Sequence, residues 1–198
     1  MRRRFFLTLA VAAVGSPGAS QAHLVSTELG PFYDGAAHSL VSPLDLMTIL
    51  GMAILGSFAG VGAARRLVVG LTAAWGTGTV VGFAIFAEPW DLPVVVAVAT
   101  LLLGIAAAVK LKVPPGGLLP LAIAAGLTRG LMNGSAARAA DGSWLSVTGI
   151  VVGVLALVLL LSGLGAWLVR RRYDVALRIA GSWVAAISLL TIGWRLRG

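Results

Sequence analysis

Long apolar runs, separated by short charged breaks, recur along the chain and constrain its fold more than any other feature of the sequence. Each run holds about twenty residues, which is the helix length that crosses a hydrocarbon core of about 30 Å. Of the 198 residues, 59% are hydrophobic and only 11% are charged, and the mean hydropathy is +0.98. So few charged side chains do not cover the surface of a water-soluble domain of this size. The sequence therefore predicts a chain whose main solvent is lipid.

Six of the runs have the length and composition of membrane-spanning helices. Every backbone N–H and C=O group must be paired inside lipid, and the alternating segments of a β-barrel are absent from the sequence. We therefore predict an all-α integral membrane protein with a six-helix transmembrane domain over 44–198, after an outer polar segment over 23–43. The predicted spans are 44–64, 67–87, 92–109, 117–133, 144–169 and 175–194.

Residues 1–22 follow the three-part plan of a secretory signal peptide. Arginines at 2–4 precede an apolar stretch over 5–14, and Ser20 and Ala22 occupy the −3 and −1 positions of a cleavage site. The apolar stretch is short for a span, so cleavage after Ala22 is favoured over anchoring, and the mature chain is expected to begin at His23. The basic start also resembles a twin-arginine signal, which leaves the export route open.

The charged breaks predict an orientation. With His23 outside, the outer breaks carry mostly acids, namely Glu88, Asp91 and Asp141 beside Arg138, and the inner breaks carry Arg65, Arg66, Lys110, Lys112, Arg170, Arg171 and Arg172. This distribution agrees with the positive-inside rule and predicts a multi-pass protein of the bacterial inner (plasma) membrane, with both mature termini on the periplasmic side. The net charge of +8 is then a topology signal, and no nucleic-acid partner is expected.

The segment from His23 to Asp45 concentrates the polar chemistry and contains both histidines of the chain. Imidazole and carboxylate ligands suit a borderline divalent ion such as nickel, cobalt, zinc or copper. Cleavage after Ala22 would also place a free α-amino group beside the first imidazole. The alternative is a solvated first histidine and a second one that orients the entry to the first span. The candidate metal ligands are His23, Glu28, Asp34 and His38.

Asp45 and Arg129 are charged residues within the apolar runs, towards the outer ends of spans one and four. Asp45 suits the first turn of a helix that Ser42 would cap, because a carboxylate there complements the helix dipole. Arg129 lies inside a span, where an unpaired charge costs about 2.5–3.5 kcal/mol. We predict that Asp45 and Arg129 approach each other. Asn133 and His38 are expected nearby, with Asp45, Arg129 and Asn133 as the polar residues of a pathway.

The chain contains 26 glycines, many of them inside the predicted spans. Gly78 and Gly82 in the second span let helix backbones approach each other closely. A narrow pathway lined by backbone and small side chains is the alternative interpretation.

One segment between the predicted signal peptide and the six predicted spans resembles the HupE/UreJ family. It runs from His23-Leu-Val-Ser-Thr through Gly30-Pro-Phe-Tyr-Asp-Gly-Ala-Ala-His38 to Ser42-Pro-Leu-Asp45. The resemblance implies a six-helix nickel or cobalt permease with both termini outside. The family's first-span motif pairs a histidine with an aspartate-histidine dipeptide. Here His38 and Asp45 fall in that region, with a spacing one residue longer and Leu46 in place of the second histidine.

The fourth-span motif of the family contains two histidine-glycine pairs and a glutamate. This chain has Arg129-Gly130 and Asn133-Gly134 there, so the glycines match and the ligands differ. An Asp45–Arg129 pair would occupy the place of a metal site, and an arginine repels a dication.

The sequence favours an inner-membrane transition-metal permease or metal-handling protein of HupE/UreJ type, with a nickel, cobalt or copper ion and the lipid bilayer as partners. The alternative is a non-transporting assembly or anchoring protein that binds another membrane subunit. An enzyme is not predicted, because the sequence offers no nucleophile–base pair, no phosphate-binding loop and no cysteine.

Overall fold

The computed structural model describes residues 28–197, and this part of the chain folds into seven α-helices with no strand. The prediction of an all-α protein is confirmed over these residues. The predicted signal peptide and His23 lie outside them. The helices are α1 (Pro31–Val41), α2 (Pro43–Ala59), α3 (Val61–Ile85), α4 (Pro93–Ala108), α5 (Pro115–Ala139), α6 (Trp144–Arg170) and α7 (Asp174–Leu196).

Three of these helices, α3, α6 and α7, are each long and apolar enough to cross a membrane alone. Helices α1 and α2 pass the same test together, as a pair bent by 67°. Helix α4 is apolar but has 16 residues, and α5 is the least apolar of the seven. The described residues therefore form a multi-pass membrane protein with three or four spans by length and composition, and the count of six stays a prediction.

Proline and glycine set several helix boundaries, and two differences from the sequence prediction arise at them. Pro31, Pro43 and Pro93 each stand at the start of a helix, where a missing N–H costs nothing. The part of the predicted outer polar segment that precedes Pro43 is thus a helix, α1, which we did not predict from the sequence. Gly60, at φ 96°, ends α2 earlier than expected, so the arginines at 65 and 66 lie inside α3.

Helix α2 lies at the centre of the bundle and contacts each of the other six helices. Eleven of its seventeen residues are buried, whereas α7 buries four of twenty-three. A residue of α2 is therefore surrounded by protein rather than lipid over most of the length of the helix.

Helices α3 and α5 run parallel and touch through their backbones. A Cβ atom added to Gly78 or Gly82 of α3 would strike the backbone of α5 at Leu127 or Leu131. A Cβ atom on Gly130 or Gly134 of α5 would likewise strike the backbone of α3. The close backbone approach that the glycines predict is confirmed for this pair of helices.

One end of the bundle collects the basic residues. Phe58 at the end of α2 lies under the ammonium of Lys110, which forms an ion pair with Asp174 at the start of α7. Ser57 packs against Gly165 near the end of α6, so these helix ends share one side of the molecule. We call this side the basic end, defined by Arg65, Arg66, Lys110, Lys112, Arg170, Arg171, Arg172 and Arg178, with Asp174 as its acid.

Candidate functional site

The helical chain breaks at Ser42, between α1 and α2. The backbone of Ser42 is extended, at φ −74° and ψ 108°, because the residue before a proline is disfavoured in the α conformation. The two helices meet there at 67°. The break brings the carbonyl end of α1 and the N–H end of α2 to one point, next to Asp45 in the first turn of α2.

Asp45 lies in the first turn of α2 and is fully buried. Its Oδ1 accepts a hydrogen bond of 2.6 Å from Nε of Arg129, and Nη2 of the same guanidinium also contacts this oxygen. Its Oδ2 accepts a hydrogen bond of 3.1 Å from Nδ2 of Asn133. The predicted approach of Asp45 and Arg129 is confirmed, and both carboxylate oxygens are occupied by donors from α5.

His38 and Ser42 complete the group around this carboxylate. Nε2 of His38, in the last turn of α1, lies 3.8 Å from Oδ2 of Asp45, and its side chain is 15% exposed. Oγ of Ser42 accepts a hydrogen bond of 3.4 Å from Nη2 of Arg129. We call His38, Ser42, Asp45, Arg129 and Asn133 the polar cluster.

The helix geometry of α5 explains how the cluster is placed. Arg129 and Asn133 are four residues apart and therefore share one face of the helix. Gly130 and Gly134 follow them directly, on an adjoining face that meets the backbone of α3. The glycines hold α5 close against α3 while the polar residues face α2.

The two buried charges of the cluster compensate each other. One carboxylate faces one guanidinium, with exposures of 0% for Asp45 and 5% for Arg129. A buried pair of this kind gains little net stability, but loss of either member leaves an unpaired charge in a low-dielectric interior. A cation that approaches Asp45 must compete with the guanidinium for the carboxylate.

Of the predicted metal ligands that the structure describes, His38 is the one that lies in the polar cluster. Glu28 is exposed and precedes α1, Asp34 lies in the first turn of α1, and His23 is outside the described residues. Within residues 28–197, no group of three or more His, Asp or Glu side chains is placed to hold a metal ion. The assignment of His23, Glu28, Asp34 and His38 as ligands therefore stays a prediction.

Two features of the site were not predicted from the sequence. Ser42 stands at the N-cap of α2, but the expected capping hydrogen bond of its side chain is absent, and its hydroxyl accepts a hydrogen bond from Arg129. Thr48, one turn beyond Asp45, pairs with Thr100 of α4 through hydroxyls 3.0 Å apart. The position of Thr48 on the Asp45 face of α2 is the signal that would have indicated its part in the polar interior.

Comparison with known proteins gives one relationship. A family model described as HupE / UreJ protein matches residues 10–191, which is nearly the whole chain. No curated protein and no solved structure matches the sequence. The matched region includes every residue of the polar cluster.

Proposed function

Because the chain belongs to the HupE/UreJ family, we propose that it is a permease, or a metal-handling protein, for a divalent transition-metal ion of the nickel or cobalt kind. One observation carries the proposal within the structure. Asp45, fully buried in a membrane-spanning bundle, lies beside a helix break with the imidazole of His38 only 3.8 Å away.

A buried charged cluster in a membrane protein supports a path for an ion. An ionised side chain inside the bilayer is unfavourable by about 2.5–3.5 kcal/mol on insertion scales, so such residues usually mark a functional pathway. Interrupted helices supply free helix ends at the binding sites of many transporters. Imidazole and carboxylate are suitable ligands for nickel, cobalt and copper ions. His38 and Asp45 are thus the residues that the ion would pass.

Arg129 has a definite part in this proposal. Its guanidinium donates a hydrogen bond to the carboxylate of Asp45 when no ion is near, and its charge repels a dication at the same carboxylate. Passage of the ion then requires the guanidinium to leave Oδ1 of Asp45. Arg129 would act as the group that closes the path between transport events.

The proposal includes the topology expected from the sequence. Six spans, formed by α2 to α7, would place the basic end in the cytoplasm of a bacterial cell and both mature termini in the periplasm. The exposed cations of the basic end support this orientation, because cytoplasmic ends of membrane proteins are enriched in arginine and lysine. Cleavage of residues 1–22 would leave His23 as the first residue.

Uptake into proteoliposomes tests the transport function. We expect vesicles that contain the protein to accumulate radioactive nickel or cobalt. The His38→Ala variant should lose most of the uptake, because the imidazole ligand is removed. The substitution should disturb the bundle little. Asp91→Asn, which alters an exposed loop acid, is the matched control and should transport normally. The proposal is overturned if the native protein takes up no nickel, cobalt or copper above empty vesicles.

A specific observation favours a second function, that of a non-transporting assembly or anchoring protein for another membrane subunit. Both oxygens of Asp45 are occupied by Arg129 and Asn133, so the cluster is complete as a structural bond between α2 and α5. Metal titration with elemental analysis of the purified protein separates the two functions. Stoichiometric metal that is lost in His38→Ala supports the permease, and metal at background level supports the anchoring protein. Mass spectrometry of the same sample tests whether His23 is the first residue.

A further inference from the structure

A groove of about 350 Å³ lies between α3 and α5, away from the polar cluster. It is lined by Arg65, Arg66, Val69, Gly70 and Leu119. Gly70 lets the side chain of Leu119 pack close to α3, because a Cβ atom there would lie 2.5 Å from Cδ1 of Leu119.

The two arginines of the groove carry charge that the protein leaves uncompensated. Arg65 and Arg66 are both exposed, and neither forms a hydrogen bond or an ion pair with any of residues 28–197. The acid at the basic end, Asp174, is already paired with Lys110. Arg65 and Arg66, which border the groove, therefore each keep a free guanidinium group, whereas the lining of the groove itself is almost entirely apolar.

Along the groove, the charged residues lie nearer the end of the bundle and the apolar residues lie deeper. The arginines lie in the second turn of α3 at the basic end, and Val69 and Gly70 lie about one turn deeper. Leu119 is also in the second turn of its helix, α5. A ligand that fills the groove meets cations at the end of the bundle and apolar side chains towards its middle.

We propose that this groove binds an anionic phospholipid, whose phosphate contacts Arg65 and Arg66 and whose acyl chain lies along Val69, Gly70 and Leu119. Guanidinium groups bind phosphate through paired hydrogen bonds, and basic pockets between membrane helices hold anionic headgroups. A soluble phosphate would use the arginines and leave the apolar part of the groove without a role. The order of charged and apolar surface matches a lipid held at the membrane interface.

Native mass spectrometry of the purified full chain in detergent tests the proposal. Phosphatidylglycerol is titrated into the native protein and into an Arg65→Gln/Arg66→Gln variant, which should bind it roughly tenfold more weakly. The matched control is Arg170→Gln/Arg172→Gln, which removes the same charge from exposed positions of the basic end outside the groove. This control should bind phosphatidylglycerol like the native protein. Equal loss in both variants would overturn the proposal, because it would indicate a general attraction of charge.

Two further arms examine the acyl-chain part of the groove. Val69→Trp alters a side chain that is 69% exposed, so folding is retained while the ring fills the groove. We expect this variant to bind phosphatidylglycerol at least about fivefold more weakly although both arginines remain. Phosphatidylcholine and glycerol phosphate should each compete poorly with phosphatidylglycerol. Unchanged binding in Val69→Trp, or full competition by glycerol phosphate, would exclude a lipid as the ligand.

Discussion

Asp45 and Arg129 are the two charged side chains that the described bundle buries almost completely. Asp45 accepts hydrogen bonds from Arg129 and Asn133, and Arg129 also donates to Ser42, so each of these bonds joins residues more than eighty positions apart. At the scale of single residues, the pair is therefore a bond between two distant helices as well as the candidate site. The two roles are separable by experiment, since stability and transport are measured independently.

Replacement of Arg129 by methionine is expected to lower the free energy of unfolding by about 3 kcal/mol or more, because it leaves the Asp45 carboxylate buried without a cation. The Asp45→Asn/Arg129→Gln variant should regain most of this loss, since it removes both charges and keeps hydrogen-bonding groups. Reversible unfolding in mixed micelles measures both variants.

The ion pair between Lys110 and Asp174 supplies the control for this prediction. Its side chains are 40% and 29% exposed, so solvent screens their interaction. Lys110→Gln is expected to change stability by less than about 1 kcal/mol. A comparable loss in Lys110→Gln and Arg129→Met would show that burial does not determine the strength of these pairs.

Much of the polar cluster is predictable from the sequence, because a charge inside an apolar run needs a partner at the same membrane depth. Asp45 and Arg129 satisfy this condition, and the topology brings them together. The hydrogen bond from Arg129 to Ser42 is not predictable in this way, because it depends on the 67° bend between α1 and α2. No local sequence pattern specifies the angle at which two helices meet.

At the scale of helices, the parallel contact of α3 and α5 depends on residues without side chains. Gly134 lies against the backbone of Thr79 and Phe83, where a methyl group has no space. Neighbouring backbone has little freedom to move aside, unlike the end of a flexible side chain.

Gly134→Ala is therefore expected to lower the free energy of unfolding by about 2 kcal/mol, the usual cost of overpacking. Gly163→Ala in α6 is the matched control, because nothing lies within 4 Å of the position of its Cβ atom. It should leave stability unchanged or raise it by up to about 1 kcal/mol through better helix propensity. If the two variants behave alike in thermal unfolding, the glycines of α5 do not hold it against α3.

The helices themselves were largely predictable, since apolar runs and prolines mark where most of them begin. Helix α1 was missed because it is short and mixes polar and apolar residues, and it is stabilised by packing on α6. Gly149 and Gly153 of α6 admit the backbone of α1 at Phe32 and Ala36. That contact joins residues more than a hundred positions apart, and no pattern within α1 indicates it.

At the scale of the whole molecule, the separation of charges between the two ends predicts how the protein lies in the membrane. The chain contains no cysteine, so a single introduced thiol reports its own position without background. Asp91→Cys and Lys112→Cys place that thiol in exposed breaks at opposite ends of α4.

An impermeant maleimide added to intact cells is expected to label Asp91→Cys fully and to label Lys112→Cys only after the membrane is permeabilised. The reason is the orientation that puts the basic end in the cytoplasm. Labelling of Lys112→Cys in intact cells would show that the orientation in the membrane is opposite to the predicted one.

The central position of α2 has a consequence for the synthesis of the protein. Asp45 emerges from the ribosome 84 residues before Arg129, which is about 4–17 s at typical elongation rates of about 5–20 residues per second. During that interval the nascent α2 holds a carboxylate whose guanidinium partner does not yet exist. A chain halted before Arg129 therefore leaves an acid without its counter-charge at the membrane, and α2 completes its bonding only when α5 has followed it.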